Sequence, residues 1–145
     1  MANTQAMCTS FMGKLLTGTH NFTTGTGNTF KAALYLTTAS LGAATTAYSA
    51  TGEVSGTGYS AGGVAVTNAV NPTTSGTTAY WTPSASITYT SVTLSTAFDT
   101  VLIYNSSQSN KAVSVHTFGS QTVTAGTFAL TMPTNAAGTA LLNIA

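Results

Sequence analysis

The apolar residues nearest the N-terminus recur with helical spacing. Met7, Phe11 and Leu15 lie four positions apart, and each is followed by a second apolar residue. Positions i, i+4 and i+8 share one face of an α-helix. The spacing therefore predicts a short amphipathic helix from about Thr4 to Leu16, with its threonine as the cap and Gly18 as its end. Such a helix either packs on its own domain or docks on a neighbouring molecule.

After this segment the pattern becomes that of strands, rich in Thr, Ala and β-branched or aromatic residues and interrupted by turn-forming residues at short intervals. Breaks are predicted at Gly119-Ser120, at Ala125-Gly126 and at the three prolines. The segment 37–55 is predicted to be a long connection, a type of loop that often makes contacts. The predicted strands are 29–37, 58–68, 77–82, 87–95, 100–105, 112–118, 121–124, 127–132 and 140–144.

Apolar and polar positions alternate along several of these strands, as expected where one face is buried. Ile87 and Tyr89 fall on one face, and Val92 and Leu94 fall on the other after a bulge. Half-buried strands joined by short turns favour antiparallel sheets over a parallel sheet with crossover helices. The expected fold is all-β, an antiparallel β-sandwich or jelly-roll-like barrel with a short N-terminal α-helix, in a single domain spanning residues 1–145.

Charge changes the functional interpretation, because the chain has three lysines, no arginine and two acidic residues among 145. Acid–base catalysis, phosphate handling and polyanion binding all depend on ionisable side chains. The net charge of +1 provides no basic cluster for nucleic acid or for an anionic membrane. Hydroxyl and amide side chains supply the polarity instead, which suits a protein packed among many identical neighbours. We therefore expect a contact protein rather than an enzyme.

Few residues could carry chemistry. Glu53 and Asp99 are the two carboxylates, and a glycosidase would need both close together; ordering a loop and a turn is the alternative role for them. His20 and His116 could join Asp99 in a triad, but no Gly-x-Ser-x-Gly elbow presents a serine. Cys8 fits a small buried hydrophobe. No catalytic residue, cofactor site or metal site is predicted.

Two segments are candidates for contacts with other molecules. The glycine-rich run GEVSGTGYSAGG at 52–63 contains no lysine and precedes no helix, so it does not fit a phosphate-binding loop. Its glycines favour tight turns and the close approach of another chain. Tyr80, Trp81 and Tyr89 could form an aromatic platform for a sugar, although neighbouring strand residues point to opposite faces.

The start of the chain lacks the basic segment and continuous apolar run of a secretory signal, and no later stretch has the length of a membrane span. We expect synthesis and retention in a cytoplasm.

Two longer runs carry a resemblance to a known group of proteins. TAYSATGEVSGTGYSAGG (Thr46 to Gly63) and VLIYNSSQSNKAV (Val101 to Val113), with the helix before them and the strand from Phe30 to Tyr35, resemble small virion proteins of tailed bacteriophages. The most distinctive match is Glu-Val-Ser-Gly-Thr-Gly-Tyr-x-x-Gly-Gly, which begins at Glu53. The likeness covers most of the chain.

The resemblance implies a cement or decoration protein on the capsid surface, made in the host bacterial cytoplasm, that clamps neighbouring subunits of the major capsid protein. Proteins of this group have no catalytic residues that could be assigned to positions in this chain. The expected oligomer is a homotrimer. A tail or neck component and a carbohydrate-binding host-recognition module are the alternatives. Burial in the core is the competing role for the candidate contact residues, which are Phe11, Glu53, Gly56, Gly58, Tyr59, Gly62, Gly63 and Trp81.

Overall fold

The computed structural model describes residues 2–145. Within this range, one helix and eight strands follow one another. Their bounds are β1 Ala6–Met7, α1 Thr9–Leu16, β2 Phe30–Leu36, β3 Val64–Ala65, β4 Thr73–Ser75, β5 Thr78–Trp81, β6 Ile87–Asn105, β7 Lys111–Leu130 and β8 Leu142–Ile144.

The strands form two antiparallel sheets. The larger sheet has the order β1-β7-β6-β2-β3, and the smaller has the order β4-β5-β8. The predicted all-β class with antiparallel sheets and one short helix is confirmed. The arrangement is consistent with a sandwich, and residues 2–145 form no closed barrel, which was the other architecture that the sequence allowed.

A long hairpin of β6 and β7 dominates the larger sheet. The two strands pair from Ile87 opposite Leu130 to Asn105 opposite Lys111, with several register shifts between these ends. The breaks expected at 119–120 and 125–126 are wrong, because both dipeptides lie inside β7. They fall in its irregular part, where bulges let turn-forming residues remain in a paired strand.

The predicted helix begins too early. Residues 6 and 7 form β1, which pairs with β7, and α1 begins only at Thr9. Cys8 occupies the N-cap position, but its side chain makes no capping hydrogen bond to the helix, while the backbone N–H of Thr4 donates to the carbonyl of Leu41. The end of the helix is as predicted, because α1 stops at Leu16 and Gly18 follows at a φ of 70°.

Other predicted strands are shorter in the structure. The stretch predicted at 58–68 contributes only β3, because its glycines form turns rather than a continuous ladder. The long connection between β2 and β3 contains isolated bridges, and one of them joins Tyr35 to Glu53. β4 was not predicted, because its exposed Thr-Thr-Ser sequence has no apolar alternation.

Aromatic packing joins the smaller sheet to the larger one. Trp81 on β5 is 2% exposed, and its ring centroid lies 4.8 Å from that of Phe22. Phe22 in turn stacks on Phe30 of β2 at 4.1 Å. The indole Nε1 donates to Asn68 and to the carbonyl of Val70, so its polar edge is satisfied within the core.

Gly63 stands where β3 approaches β2. Its φ is 71°, and a Cβ placed there would overlap the carbonyl oxygen of Ala32. Gly25 has a similar φ of 78°, but an added Cβ would meet nothing within 4 Å. Alanine substitutions at these two positions distinguish backbone strain from a steric clash. Both substitutions strain the backbone, but only the one at Gly63 also produces a clash.

We expect Gly25→Ala to lower the free energy of unfolding by about 1 kcal/mol, and Gly63→Ala to lower it by about 4 kcal/mol or more. Urea denaturation followed by circular dichroism measures both. Equal losses for the two variants would show that the close contact with β2 is not what requires a glycine at position 63.

Candidate functional site

The side chain of Glu53 organises the connection between β2 and β3. Its Oε1 accepts hydrogen bonds from the hydroxyl of Tyr59 at 2.7 Å and from the backbone N–H of Gly62 at 2.7 Å. Its Oε2 accepts from the hydroxyl of Tyr48 at 2.6 Å. The carboxylate is therefore held by three neutral donors, and hydrogen bonds to a charged acceptor are among the stronger ones. We call these four residues the Glu53 cluster.

The cluster is tied to the larger sheet through tyrosine hydroxyls. Tyr59 accepts from the backbone N–H of Leu34 on β2, and Tyr104 on β6 donates to the carbonyl of Gly62. Burial, reinforced by the bond to Glu53, raises the pKa of Tyr48 to about 12, and the same two causes raise the pKa of Tyr59. These hydroxyls stay protonated at neutral pH and act as donors that hold the loop.

The glycines of the same loop lie against the chain's own strands. An added Cβ at Gly56 would overlap the carbonyl of Thr93, and one at Gly58 would overlap the carbonyl of Ser91, both on β6. The close approach expected of this segment is therefore made with β6. Gly56 and Gly58 are nevertheless exposed on their outer side, whereas Gly62 is buried.

Two further candidate contact residues lie inside the chain. Phe11 is 1% exposed, and its ring packs against those of His20 and Phe22; Trp81 is buried at the junction of the sheets. Both therefore occupy the core position that the sequence left open for them. The proposed sugar platform is not exposed in this fold, because Trp81 and Tyr89 are each only 2% accessible.

Asp99 lies within β6, so the turn expected there is wrong. Its Oδ1 accepts from the amide of Asn3 at 2.8 Å and from the hydroxyl of Thr100 at 2.7 Å. Asn3 also donates to the carbonyl of Leu36 and accepts from the N–H of Leu41. Asp99 thus helps to anchor the N-terminal segment, and its partners are different from those of Glu53.

A serine and a histidine meet on β7. Ser114 Oγ lies 2.8 Å from His116 Nε2, but Ser114 is only 1% exposed. Burial lowers the pKa of His116 to about 4, which favours the neutral ring. Asp99, the partner considered for a triad, is bonded to Asn3 and Thr100. The free thiol of Cys8 is fully buried, and burial raises its pKa to about 11.

The structure also reveals surface features that the sequence patterns did not identify. Leu16 is 91% exposed, Met12 is 45% exposed, and Ile144 on β8 is 41% exposed. Ile144 also lines an apolar groove of about 420 Å³, whose walls include Phe11, Leu15 and Trp81. Helical spacing places Met12 and Leu16 on one line; which face of the helix is buried depends on the packing of α1.

A second pocket of about 420 Å³ lies against the adjacent face of α1, and His20 lines both pockets. We call this second one the cationic pocket. Lys14 on α1 and Lys111 at the start of β7 line it together with His20 and Ser10. No local motif connects these residues, because the tertiary fold alone brings α1 beside the start of β7.

Within residues 2–145, no three His, Cys, Asp or Glu side chains come together as a metal site would require. α1, the one helix in this range, is too short to cross a membrane. Comparisons with protein-family models, curated proteins and solved structures give no significant match.

The Glu53 cluster is expected to stabilise the fold. Glu53→Ala leaves the half-buried Tyr59 hydroxyl and the Gly62 N–H without their acceptor, so we expect a loss of about 3 kcal/mol in the free energy of unfolding. Glu53→Gln keeps one carbonyl oxygen as an acceptor and should lose less. Urea denaturation of the two variants measures the difference; equal stability of Glu53→Ala and the parent protein would contradict this role.

Stability should also fall in mildly acidic solution. Burial lowers the pKa values of His116 and His20 from their ordinary value of 6.5, to about 4 for His116. The unfolded chain therefore binds protons first, so the contribution of the neutral rings is complete above pH 6.5 and is lost as the pH falls towards 4. The slope for one such histidine approaches about 1.4 kcal/mol per pH unit.

Urea denaturation between pH 7 and pH 5 measures this slope. His116→Gln retains a group that can accept from Ser114 but does not titrate, so its slope should be smaller than that of the parent protein. An unchanged slope in this variant would exclude His116 as a source of the acid sensitivity.

Proposed function

We propose that this chain is a cement protein of a tailed-bacteriophage capsid. It forms a homotrimer, binds the capsid surface and clamps neighbouring major capsid subunits. It is made in the host cytoplasm and ends in the virion. The proposal includes no cofactor, no catalytic step and no nucleic-acid or membrane partner. The resemblance of the run from Glu53 to Gly63 to small virion proteins supports it.

The exposed apolar ridge of α1 is the observation that carries this proposal furthest. Leu16 and Met12 project from a helix whose Phe11 side is already buried in the chain's own core. An exposed leucine loses contact with water when a partner covers it, and burial of a leucine side chain contributes about 1.5–3 kcal/mol. The helix thus packs on its own domain and also offers a surface to a neighbour.

The roles of the carboxylates support a structural function as well. Glu53 holds the loop after β2, and Asp99 holds the N-terminal segment. The two acidic side chains of the chain are thus committed to its own architecture. A repeated contact protein needs area and shape complementarity more than it needs reactive groups, since many weak contacts add up through avidity.

The carbohydrate-binding alternative gains no support from the fold, because Trp81 and Tyr89, two of the three rings considered for its platform, are buried. A position in the tail or neck is the closer competitor. Cryo-electron microscopy of the particle distinguishes the two, since density for this chain confined to the tail axis would overturn the cement proposal.

Stripping and rebinding test the ridge directly. Purified particles that lose this protein should rupture more readily under heat or osmotic shock, and adding the purified chain should restore resistance. Leu16→Lys should bind stripped shells at least about tenfold more weakly. Leu16 is 91% exposed, so the substitution should leave the fold intact, which circular dichroism checks.

Thr127→Lys provides the matched control. Thr127 is exposed on β7 at the end of the hairpin away from α1, so the variant adds the same charge at a different surface. Equal weakening by both variants would indicate a general effect of charge and would reject the ridge as the contact. Stripped shells that keep their resistance would reject clamping itself.

A further inference from the structure

Two of the chain's three lysines meet in the cationic pocket. Lys14 lies on α1, and Lys111 is the first residue of β7, where it pairs with Asn105. The two carboxylate side chains are held elsewhere, Glu53 by the donors of its cluster and Asp99 by Asn3 and Thr100. In a chain with so little charge, these two ammonium groups form a local concentration of positive charge that neither acidic side chain is placed to neutralise.

His20 lines the same pocket, and one of its ring nitrogens has a hydrogen-bond partner while the other has none among residues 2–145. Asn105 Oδ1 accepts from the N–H of Ser107, which fixes the orientation of its amide. Asn105 Nδ2 therefore donates to His20 Nδ1, at 3.1 Å, and also to Asn28. Since Nδ1 is an acceptor, the proton of the neutral ring lies on Nε2.

His20 Nε2–H is buried and has no hydrogen-bond partner within residues 2–145, while the residue as a whole is 7% exposed. Leaving a buried donor unpaired costs about 1–3 kcal/mol, so such a group in a native structure calls for an explanation. Burial first, and then the positive charges of Lys111 and Lys14, lower the pKa of His20. The ring is therefore neutral at pH 7 and keeps Nε2–H as a donor.

We propose that the cationic pocket binds a carboxylate, and that its source is an acidic side chain of the capsid partner, an assignment that rests on the proposed function. A carboxylate supplies one negative charge and two acceptor oxygens to two ammonium groups and an unpaired N–H. Two lysines without arginine are too few to hold a nucleic-acid backbone.

Occupancy begins at the lysines. Nε2 is sealed from solvent in the free chain, so a carboxylate reaches it only after a covering side chain moves. Lys14 is exposed, so its ammonium group is accessible to an incoming carboxylate from the start. The ammonium groups attract the carboxylate first, and Nε2–H then gains the acceptor that it lacks.

The pocket also suits a partner that covers α1. Along the helix, Ser10 and Lys14 face the cationic pocket, while Met12 and Leu16 project on the other flank of the buried Phe11 side. Between them on the outer surface lies Gly13, where an added Cβ would meet nothing within 4 Å. A partner lying across this open side can therefore reach the apolar ridge and the lysines together.

Acetate is the probe for the pocket in the isolated full-length protein. The ring resonances of His20 are followed by nuclear magnetic resonance during titration with sodium acetate, against sodium chloride at equal ionic strength. We expect a saturable, acetate-specific shift and a rise in the pKa of His20, because the bound anion offsets the lysine charges. Absence of an acetate-specific response would overturn the proposal.

Substitution of the lysines locates the response. Lys14→Gln with Lys111→Gln should weaken acetate binding about tenfold, as expected for the loss of two partly exposed charge contacts. Lys31→Gln, which removes the remaining lysine from β2, should have no effect. An equal loss in the control would overturn the assignment to this pocket, as would phosphate binding more tightly than acetate at the same pH.

Stripped shells identify the source of the carboxylate. Weaker rebinding of the double lysine variant than of Lys31→Gln supports a side chain of the partner. If the two variants rebind equally while the parent protein still responds to acetate, that assignment is overturned and the ligand is a free small carboxylate. If the parent protein does not rebind at all, the cement function fails, while the acetate titration still decides whether the pocket is a carboxylate site.

Discussion

The pairing of β6 with β7 is the interaction on which the rest of the structure depends. β2 pairs along β6, and β1 pairs with β7 immediately before α1. The connection after β2 is also attached to the hairpin, through a bridge from Ala47 to Lys111 and another from Thr57 to Thr93. The hairpin turn is short, so its first contacts close with little loss of chain entropy. The remaining elements can then add to a template that already exists.

A fold with so few charges must satisfy its polar groups with neutral partners. The Glu53 cluster does this with two tyrosine hydroxyls and one backbone N–H in place of a cation. Tyrosine suits the task, because the ring fills the core while the hydroxyl reaches the carboxylate. Tyr89 follows the same pattern, with a buried ring whose hydroxyl donates to the carbonyl of Ala32. Neutral donors therefore replace ion pairs at the points where loops meet the sheet.

Local pattern predicted the fold class and failed at strand continuity. The bulge between Tyr89 and Val92 was expected from the alternation and is present, with Ser91 at a φ of 52°. Its effect was not foreseen: Ile87, Tyr89, Val92 and Leu94 are all buried, because the extra residue compensates for the odd spacing. The interruptions expected within β7 failed for a related reason, since tertiary pairing holds turn-forming residues inside a bulged strand.

The candidate site was predictable only in part, because its contacts join residues that are far apart in the sequence. The loop from 52 to 63 stood out by composition, but its contacts with β6 and with Tyr48 depend on how it folds back. Phe11 and Trp81 were identified as important apolar residues, and sequence could not decide between a core and an interface. The cationic pocket had no local signature, because Lys14 and Lys111 become neighbours only through tertiary packing.

Scarcity of charge gives the few charged groups a particular role in recognition. A surface with a net charge near zero exerts little long-range attraction, so encounter with a partner is not accelerated by electrostatic steering. Affinity must then come from slow dissociation and from many simultaneous contacts. Apolar contacts alone fix orientation poorly, because they are non-directional. A single carboxylate bound at Lys14 and Lys111 would fix the register of a partner lying on α1, since no other pair of lysines is available to compete for it.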